Sequence, residues 1–192
     1  KKILIIGSGS NVGRFLSLNL ADEFSIYEIS SKRKYKSNSS VINLSLASKS
    51  LNLDKIRKIK KIKFSAIIFL STIRQMDESY KIFHIINNTI KLLKILTFRK
   101  FINFSSVSVY QKNTKKLYDV NSKLWPILNS DFEYSVNKII CEMYFFNYFQ
   151  SSNINKFVNL RIGQIFGKSS KNQSIFYKLN QSIEDKKKFI IY

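Results

Sequence analysis

The sequence predicts an α/β fold built on a doubly wound parallel sheet. Apolar runs of strand length alternate with segments of helical periodicity along most of the 192 residues, as they do in chains of repeated β-α units. The first apolar run ends in a glycine-rich loop that leads directly into a helical pattern. The chain shows no internal repeat.

Each element follows from its hydrophobic pattern. Continuous apolar runs suit strands that are covered on both faces of a parallel sheet, and apolar residues three or four apart suit helices packed against it. Strands are predicted at 2–6, 24–29, 41–44, 64–70, 101–104 and 157–162. Helices are predicted at 14–20, 51–63, 77–99, 131–149 and 174–184. The segment 30–40 is rich in serine and lysine, which indicates a polar loop.

The strong positive charge does not by itself indicate a nucleic-acid partner. Lysine and arginine number 33 against 12 acidic residues, which gives a net charge of +21. Asparagine, isoleucine, phenylalanine and tyrosine are also abundant, whereas alanine occurs three times and proline once. This composition is typical of a bias toward A- and T-rich codons, in which lysine becomes the default surface residue. We therefore expect solvated lysines, and we do not expect a nucleic-acid partner.

The single cysteine and the hydropathy profile limit the possible classes of protein. Cys141 has no second cysteine with which to form a disulfide within the chain, and no companions at metal-ligand spacing. We predict no metal site. The longest apolar run, 66–70, is too short to span a bilayer. We expect a soluble, cytoplasmic protein with no membrane partner.

The loop after the first strand is a candidate cofactor site. Glycine allows a tight turn and a close approach of the backbone to a pyrophosphate, and a following helix offers the positive end of its dipole. The chain has only five glycines, and three of them fall in this loop. The predicted cofactor-binding residues are Gly7, Ser8, Gly9, Ser10, Asn11, Val12 and Gly13. This strand, loop and helix predict a Rossmann-type dinucleotide-binding domain.

The second strand offers candidates for the ribose end of the cofactor. An acidic residue about 20 positions beyond the glycine loop commonly binds the ribose of NAD, and Glu28 is the candidate. Ser31 and Lys32 follow closely and could instead bind the 2′-phosphate of NADP. The sequence therefore predicts NAD or NADP and leaves the choice open.

A serine, a tyrosine and a lysine form the candidate catalytic group. Ser106 follows a predicted strand, at the edge where open α/β sheets bind their ligands. Tyr134 and Lys138 are four residues apart on a predicted helix, which places them on one face, one turn apart. A nearby ammonium favours the ionised form of a phenol, which can then take up a proton, while a serine hydroxyl can bind the same substrate oxygen.

Several segments carry a resemblance to one family. The opening "KKILIIGSGSNVGRFL", the serine strand "KFINFSSVSVY", the helix start "YSVNK" and the late strand "NLRIGQIFG" are similar to motifs of the extended short-chain dehydrogenase/reductases. This is the group of NAD-dependent nucleotide-sugar epimerases, dehydratases and reductases. The segment "FSAIIFLSTIR" resembles the strand whose end packs on the cofactor, through Leu70, Ser71 and Thr72.

The resemblance implies roles for the candidate residues. Tyr134 would be the general acid/base, Lys138 would bind the nicotinamide ribose and tune Tyr134, and Ser106 would orient the reacting substrate oxygen. Ile162 would contact the cofactor. Ser108 and Gln164 would bind the substrate, a nucleotide sugar.

The residues after Ser106 reduce the number of reactions that the resemblance implies. Dehydratases of the family usually carry an Asp-Glu pair there, whereas this chain has Val107 and Ser108. The resemblance therefore disfavours a 4,6-dehydratase and leaves an epimerase or a 4-keto-reductase. Two alternatives stay open: a keto-reductase acting on a non-sugar carbonyl, and a non-catalytic Rossmann-type protein that binds RNA through its basic surface.

Length and aromatic content lead to two further expectations. We predict a dinucleotide-binding domain at 1–168, with 169–192 as the start of a C-terminal substrate-binding part. Family members usually continue well beyond this point, so we expect a fragment that lacks most of the small substrate domain. The helices 77–99 and 131–149 resemble those through which the family dimerises, and the second carries more aromatic residues than one buried face needs. We expect a homodimer through these two helices.

Overall fold

The structure is a computed structural model that describes residues 1–31, 40–73, 78, 80–110, 118–124, 132–151, 156–163 and 165. Its strands are β1 (Lys2–Ile6), β2 (Ser25–Ser30), β3 (Ser40–Asn43), β4 (Lys63–Phe64), β5 (Ala66–Phe69), β6 (Thr97–Phe98), β7 (Lys100–Ser106) and β8 (Lys156–Ile162). Its α-helices are α1 (Asn11–Asn19), α2 (Arg57–Lys60), α3 (Lys81–Ile95) and α4 (Phe132–Gln150), and short 3-10 turns form at Leu53–Ile56 and Val107–Val109.

Six strands form one sheet in the order β3-β2-β1-β5-β7-β8. The pairs β1 with β2, β2 with β3, β1 with β5 and β5 with β7 are all parallel. The chain builds outward from β1 in one direction and then from β5 in the other, so the order reverses between β1 and β5. The sheet is therefore doubly wound and Rossmann-like, as the sequence predicts.

The sheet is covered on both faces, which explains why its strands are continuously apolar. Leu4 and Ile6 of β1 belong to one core cluster, whereas Ile3 and Ile5 belong to the other. This alternation follows from the two-residue period of a strand. The first cluster packs against α3 and α4, and the second packs against α1.

A group of phenylalanines joins α4 to the central strands. Phe101 of β7 is fully buried, and its ring lies 4.9 Å from that of Phe145 and 5.2 Å from that of Phe149, measured between centroids. Phe69 of β5 contacts the same group, with its ring 5.0 Å from that of Phe145. These contacts bury large apolar areas on the inner face of α4 and fix that helix against the sheet.

The structure differs from the predicted elements at several boundaries. The predicted strand 64–70 is interrupted at Ser65, whose amide donates to the carbonyl of Lys2 (2.8 Å). The two residues before it form β4, which pairs with the unpredicted strand β6 in a separate two-stranded sheet. The predicted helix 51–63 is shortened to one 3-10 turn followed by α2. The predicted helix 174–184 lies outside the described residues.

Two compact units make up the chain, Lys1–Arg161 and Ile162–Tyr192. Only Ile162, Gly163 and Ile165 of the second unit fall within the described residues, so the predicted boundary after residue 168 stays a prediction. Within the described parts of the chain, no helix is both long and apolar enough to cross a bilayer. The same residues contain no group of three or more histidine, cysteine, aspartate or glutamate side chains arranged to hold a metal ion.

Cys141 lies on the buried face of α4, and its burial makes the stability of the fold depend on pH. Desolvation raises the pKa of its thiol from 9.0 to about 12, while the nearby Lys138 acts in the opposite direction and Glu142 adds to the rise. Below pH 9 the thiol is protonated in both the folded and the unfolded chain. Above pH 9 the unfolded chain loses this proton first, so folding loses stability until about pH 12.

We expect Cys141→Ala to remove this contribution. Urea denaturation of the parent and the variant at pH 8 and pH 10 measures it as the difference between their free energies of unfolding. From pH 8 to pH 10, the free energy of unfolding of the parent should fall by about 1.4 kcal/mol more than that of the variant. The interval above the unfolded pKa of 9.0 is one pH unit, which corresponds to roughly that energy. Other groups that titrate in this range cancel in the comparison. A difference that is the same at both pH values would contradict the prediction.

Candidate active site

The glycine loop folds tightly on itself and against the end of β5. Gly7 has a φ of +87°, and an added Cβ there would lie 2.9 Å from the backbone nitrogen of Ser71. At Gly13 an added Cβ would lie 2.5 Å from the Cα of Ser8. Both positions therefore require glycine, the first because of conformation and close approach and the second because of close approach alone.

Helix α1 begins in this loop, three residues earlier than predicted. Ser10 is its N-cap, and its hydroxyl accepts a hydrogen bond from the amide of Gly13 (3.0 Å). The cap allows the helix to start at Asn11, which brings the positive end of the helix dipole to the loop. Ser8 is fully buried and Gly9 lies between the two close approaches. This concave turn at a helix N-terminus fits the pyrophosphate of a dinucleotide.

The segment after β5 forms the neighbouring wall. Leu70 is buried, and Ser71 contacts the Gly7 turn through its backbone. The hydroxyl of Thr72 is buried and has no hydrogen-bond partner among the described residues, which suits a polar group supplied by a ligand. The amide of Asn137 on α4 donates to the carbonyl of Ile73 (3.3 Å), so this wall is tied to the helix that carries Tyr134. A dinucleotide fits these residues.

The three predicted ribose-binding residues are not brought together in the described part of the chain. Glu28 is fully buried in β2, opposite Ile5, and the strand continues for two residues beyond it to Ser30. Ser31 is exposed just after the strand, and Lys32 lies outside the described residues. The roles of Glu28, Ser31 and Lys32 stay predictions.

Lys138 is buried at the centre of the candidate catalytic group. Only 4% of its surface is exposed, and its Nζ donates a hydrogen bond to the carbonyl of Phe104 (2.6 Å). The same Nζ lies 5.6 Å from the centre of the Tyr134 ring. The lysine thus bridges α4 and β7, and it holds a positive charge next to the phenol.

Ser106 ends β7 two residues beyond Phe104, and a turn follows it. Its Oγ accepts hydrogen bonds from the amide (3.2 Å) and the hydroxyl (2.9 Å) of Ser108. Because both bonds are accepted, the proton of Ser106 can be donated elsewhere, and a substrate oxygen is a suitable acceptor. Ser108 is therefore part of the same hydroxyl pair.

The fold brings the predicted trio into one region. α4 packs against both β7 and the 3-10 turn Val107–Val109. Lys138 bonds to β7 two residues before Ser106, and the Tyr134 ring lies near the same Nζ. All of these residues lie at the carboxyl end of the parallel strands, where the glycine turn also lies. Ile162 is the last, half-buried residue of β8, and Gln164 lies outside the described residues. The roles of these two residues stay predictions.

Sequence reasoning missed the polar residues that hold these elements together. Glu142 follows Lys138 by one helical turn and is buried, and it pairs with Arg161 of β8. Asn137, next to Lys138, binds the carbonyl of Ile73. The only available signal was the four-residue spacing of Tyr134, Lys138 and Glu142, which places all three on one helix face.

The doubly wound sheet, the glycine turn before α1 and the adjoining wall define a dinucleotide-binding protein of the Rossmann class. The chain belongs to the NAD dependent epimerase/dehydratase family, which it matches over residues 3–192. This confirms the resemblance found in the sequence. No curated protein sequence matches the chain significantly.

Several solved structures have a fold similar to that of this chain, and three of them are compared with it. A UDP-glucuronic acid 4-epimerase variant from Bacillus cereus, in complex with UDP-4-deoxy-4-fluoro-glucuronic acid and NAD, superposes with a TM-score of 0.77 at 16% identity. An NAD-dependent NDP-hexosamine 5,6-dehydratase of tunicamycin biosynthesis gives 0.73 at 15%. A short-chain dehydrogenase/reductase superfamily protein from Agrobacterium tumefaciens with bound NAD gives 0.65 at 21%.

The matches cover most of this chain but only part of each neighbour. They include 100%, 96% and 84% of this chain, in the same order. The chain spans 66%, 62% and 48% of the lengths of the three proteins. At these identities the likeness concerns the fold.

We predict that Gly13→Ala destabilises the glycine turn. Alanine favours a helix over glycine by about 1 kcal/mol, but its Cβ would meet backbone atoms that cannot move cheaply. The clash should outweigh the gain and lower the free energy of unfolding by about 1 to 3 kcal/mol, measured by urea denaturation.

Gly163→Ala is the matched control, because an added Cβ there meets no atom of the described residues within 4 Å. It should change the stability by less than about 0.5 kcal/mol. Equal stability of Gly13→Ala and the parent would contradict the close approach to Ser8.

Proposed function

We propose that the protein is an NAD(P)-dependent enzyme that acts on a nucleotide sugar as an epimerase or a 4-keto-reductase. The observation that carries the proposal is the position of Lys138. Its Nζ bonds to the carbonyl of Phe104 and lies near the Tyr134 ring. Phe104 precedes Ser106 by two residues in β7. A buried cation beside a phenol and a hydroxyl, next to a dinucleotide cradle, suits the transfer of a proton together with a hydride.

The chain's own residues would divide the proton chemistry among them. Tyr134 would take the proton from a sugar hydroxyl through its phenolic oxygen, and it would return the proton when the carbonyl is reduced again. Ser106 would donate a hydrogen bond to the same sugar oxygen and hold it near Tyr134. The Lys138 Nζ lies 5.6 Å from the centre of the Tyr134 ring, so the lysine would hold the phenol in place beside the reacting sugar oxygen.

NAD or NADP would be held by the Gly7–Gly13 turn and by the wall at Leu70, Ser71 and Thr72. When bound, the nicotinamide ring accepts and returns the hydride. NAD is bound in the epimerase and dehydrogenase/reductase neighbours described above, which supports it as the first candidate. Lys138 would also bind the nicotinamide ribose, as the family resemblance implies.

The absence of acidic residues after Ser106 supports epimerisation or reduction over 4,6-dehydration. Elimination of water needs an acid and a base beside the sugar, and the turn after Ser106 provides Val107 and Ser108 instead. Ser108 would contact the sugar together with Ser106. Gln164 would approach the substrate phosphates.

Titration of the complete protein tests the proposal. NADH and NADPH are added first, with binding followed by nicotinamide fluorescence, and binding of the oxidised forms is measured by their displacement of the reduced ones. UDP-, GDP- and dTDP-sugars are then added, and the nicotinamide absorbance and the products are followed. We expect binding of one cofactor and turnover of one of the nucleotide sugars. If neither cofactor binds, the protein is not an NAD(P)-dependent enzyme and the proposal is wrong.

Tyr134→Phe isolates the proton-transfer step. We expect it to lower kcat by at least about 100-fold, as expected for loss of a general acid/base, while the dissociation constant of the cofactor changes little. Tyr144→Phe, on the exposed face of the same helix, is the control and should retain full activity. Full turnover by Tyr134→Phe would exclude the proposed role.

We also propose that the protein forms a homodimer through α3 and α4. Helix α4 exposes Tyr144 (44%) on one side of the buried Phe145 and Phe146 (50%) on the other, and Phe83 of α3 is 46% exposed. The rings of Phe83 and Tyr144 are in contact, with centroids 6.1 Å apart, so the two helices present one continuous aromatic surface. Burial of such a surface against a second copy would remove it from water.

Light scattering tests the dimer. The parent should have twice the mass of the chain at micromolar concentration, and the double variant Phe83→Ser/Tyr144→Ser should be a monomer. Phe15→Ser is the control, because Phe15 is exposed on α1, away from this surface. A monomeric parent would contradict the proposal.

A further inference from the structure

Arg161, near the end of β8, makes an unusually complete set of contacts. Its Nε lies 3.1 Å and 3.2 Å from the two carboxylate oxygens of Glu142, and its Nη2 lies 2.8 Å from Oε2. Its Nη1 donates to the hydroxyl of Tyr110 (3.0 Å) and to the carbonyl of Val120 (3.2 Å). One guanidinium therefore bonds to three separate parts of the chain.

The three partners lie on the elements that carry or follow the catalytic group. Glu142 is on α4, two turns beyond Tyr134 and one turn beyond Lys138. Tyr110 directly follows the turn that contains Ser108, and its backbone forms an antiparallel bridge with Leu124. Val120 belongs to the described segment 118–124, which is also held by stacking of the Tyr118 ring on that of Tyr110 at 5.2 Å.

Burial makes these bonds strong and specific. Glu142 is 4% exposed, and the Arg161 side chain is 20% exposed. The carboxylate and the phenol both hold the guanidinium in its charged form, so the pKa of Arg161 is raised, chiefly by the Glu142 hydrogen bonds. Arginine suits this position because its planar fork can bond in several directions at once, which a lysine ammonium cannot do in the same geometry.

We propose that Arg161 is a positioning residue that fixes α4, which carries Tyr134 and Lys138, against the turn and the 118–124 segment that follow Ser106. The inference rests on the proposed function, since it concerns the spacing of the groups that would contact the sugar. Lys138 joins α4 to β7 before Ser106, and Arg161 joins α4 to the chain after Ser106. The chain on both sides of Ser106 is therefore bonded to α4, through Lys138 before it and through the Glu142–Arg161 pair after it.

This arrangement matters for the reaction because proton transfer requires short, aligned distances. A displacement of about 1 Å between reacting groups can lower a rate by about 100-fold. Without Arg161, α4 keeps its aromatic contacts with the sheet and its packing against the turn Val107–Val109, but Tyr110 and the 118–124 segment lose their polar link to it. The glycine turn at 7–13 is held by its own contacts with Ser8, Ser10 and Ser71, which do not involve Arg161, and it should be unaffected.

The test compares three variants of the complete protein. Arg161→Met alone would leave Glu142 as a buried charge without its partner, so Arg161→Met/Glu142→Gln is used to remove both charges. Arg161→Lys keeps the charge but loses the fork. Arg57→Met/Asp54→Asn is the control, because it removes an ion pair of similar length (2.9 Å) whose two side chains are 80% and 75% exposed.

Hydrogen exchange measured by mass spectrometry gives a readout that needs no substrate. We expect peptides that cover 107–110 and 118–124 to exchange at least about 10-fold faster in Arg161→Met/Glu142→Gln, while those that cover β1 and β5 keep the parent rate. Arg161→Lys should lie between the two. Parent-like exchange at 118–124 in the double variant would overturn the proposal, as would a uniform increase in all peptides.

Kinetics then test the catalytic consequence. We expect kcat to fall by about 10- to 100-fold in the double variant, with an unchanged dissociation constant for the cofactor. Arg161→Lys should recover part of kcat, and the control pair should behave as the parent. A kcat within two-fold of the parent in the double variant would overturn the positioning role. If the parent turns over no nucleotide sugar, the proposed function fails, and the exchange experiment still decides whether Arg161 fixes these elements.

Discussion

The buried ammonium of Lys138 is the constraint on which the candidate site depends. A charge removed from water is costly unless it is hydrogen-bonded, and the Phe104 carbonyl supplies that bond at 2.6 Å. The bond sets the height of α4 along β7, and it brings the Tyr134 ring within 5.6 Å of the same charge. The phenylalanines around Phe101 then hold the helix against the sheet, so the position of the polar group is supported by the apolar packing below it. The same helix, α4, therefore carries both the candidate catalytic residues and the phenylalanines that pack in the core.

The two halves of the sheet contribute different parts of the site. The first half supplies the turn at Gly7 and Gly13, where the backbone approaches so closely that side chains are excluded. The second half supplies Ser106, Tyr134 and Lys138. The wall at Leu70–Thr72 joins the two, since it contacts the Gly7 turn on one side and is tied through Ile73 to Asn137 on the other. The reversal of strand order between β1 and β5 places this junction where ligands bind in doubly wound sheets.

Much of the fold could be predicted because its signals are local. The glycine turn, the apolar strand runs and the four-residue spacing of Tyr134 and Lys138 are each visible within a short window. The differences have one distant and one local cause. The predicted strand 64–70 is divided at Ser65 because the residues before it pair with β6 and those after it pair with β1. Helix α1 starts early because Ser10 caps it through the amide of Gly13. The number of aromatic residues on α4 exceeds what one buried face requires, as the sequence predicts: Phe145 and Phe149 are in the core, whereas Tyr144 and Phe146 are exposed.

By itself, the sequence determined the class of fold, because the strand and helix patterns are properties of neighbouring residues. Its motifs also carried the resemblance to the family, and that resemblance predicts the three candidate catalytic residues. Only the tertiary structure decided which charged and polar side chains are buried and what they bind. Arg161 and Glu142 are 19 positions apart, and Asn137 and Ile73 are 64 apart. In a chain with 33 basic residues, nothing local distinguishes Arg161 from the others. Burial makes that distinction, since a guanidinium removed from water must find its partners within the fold.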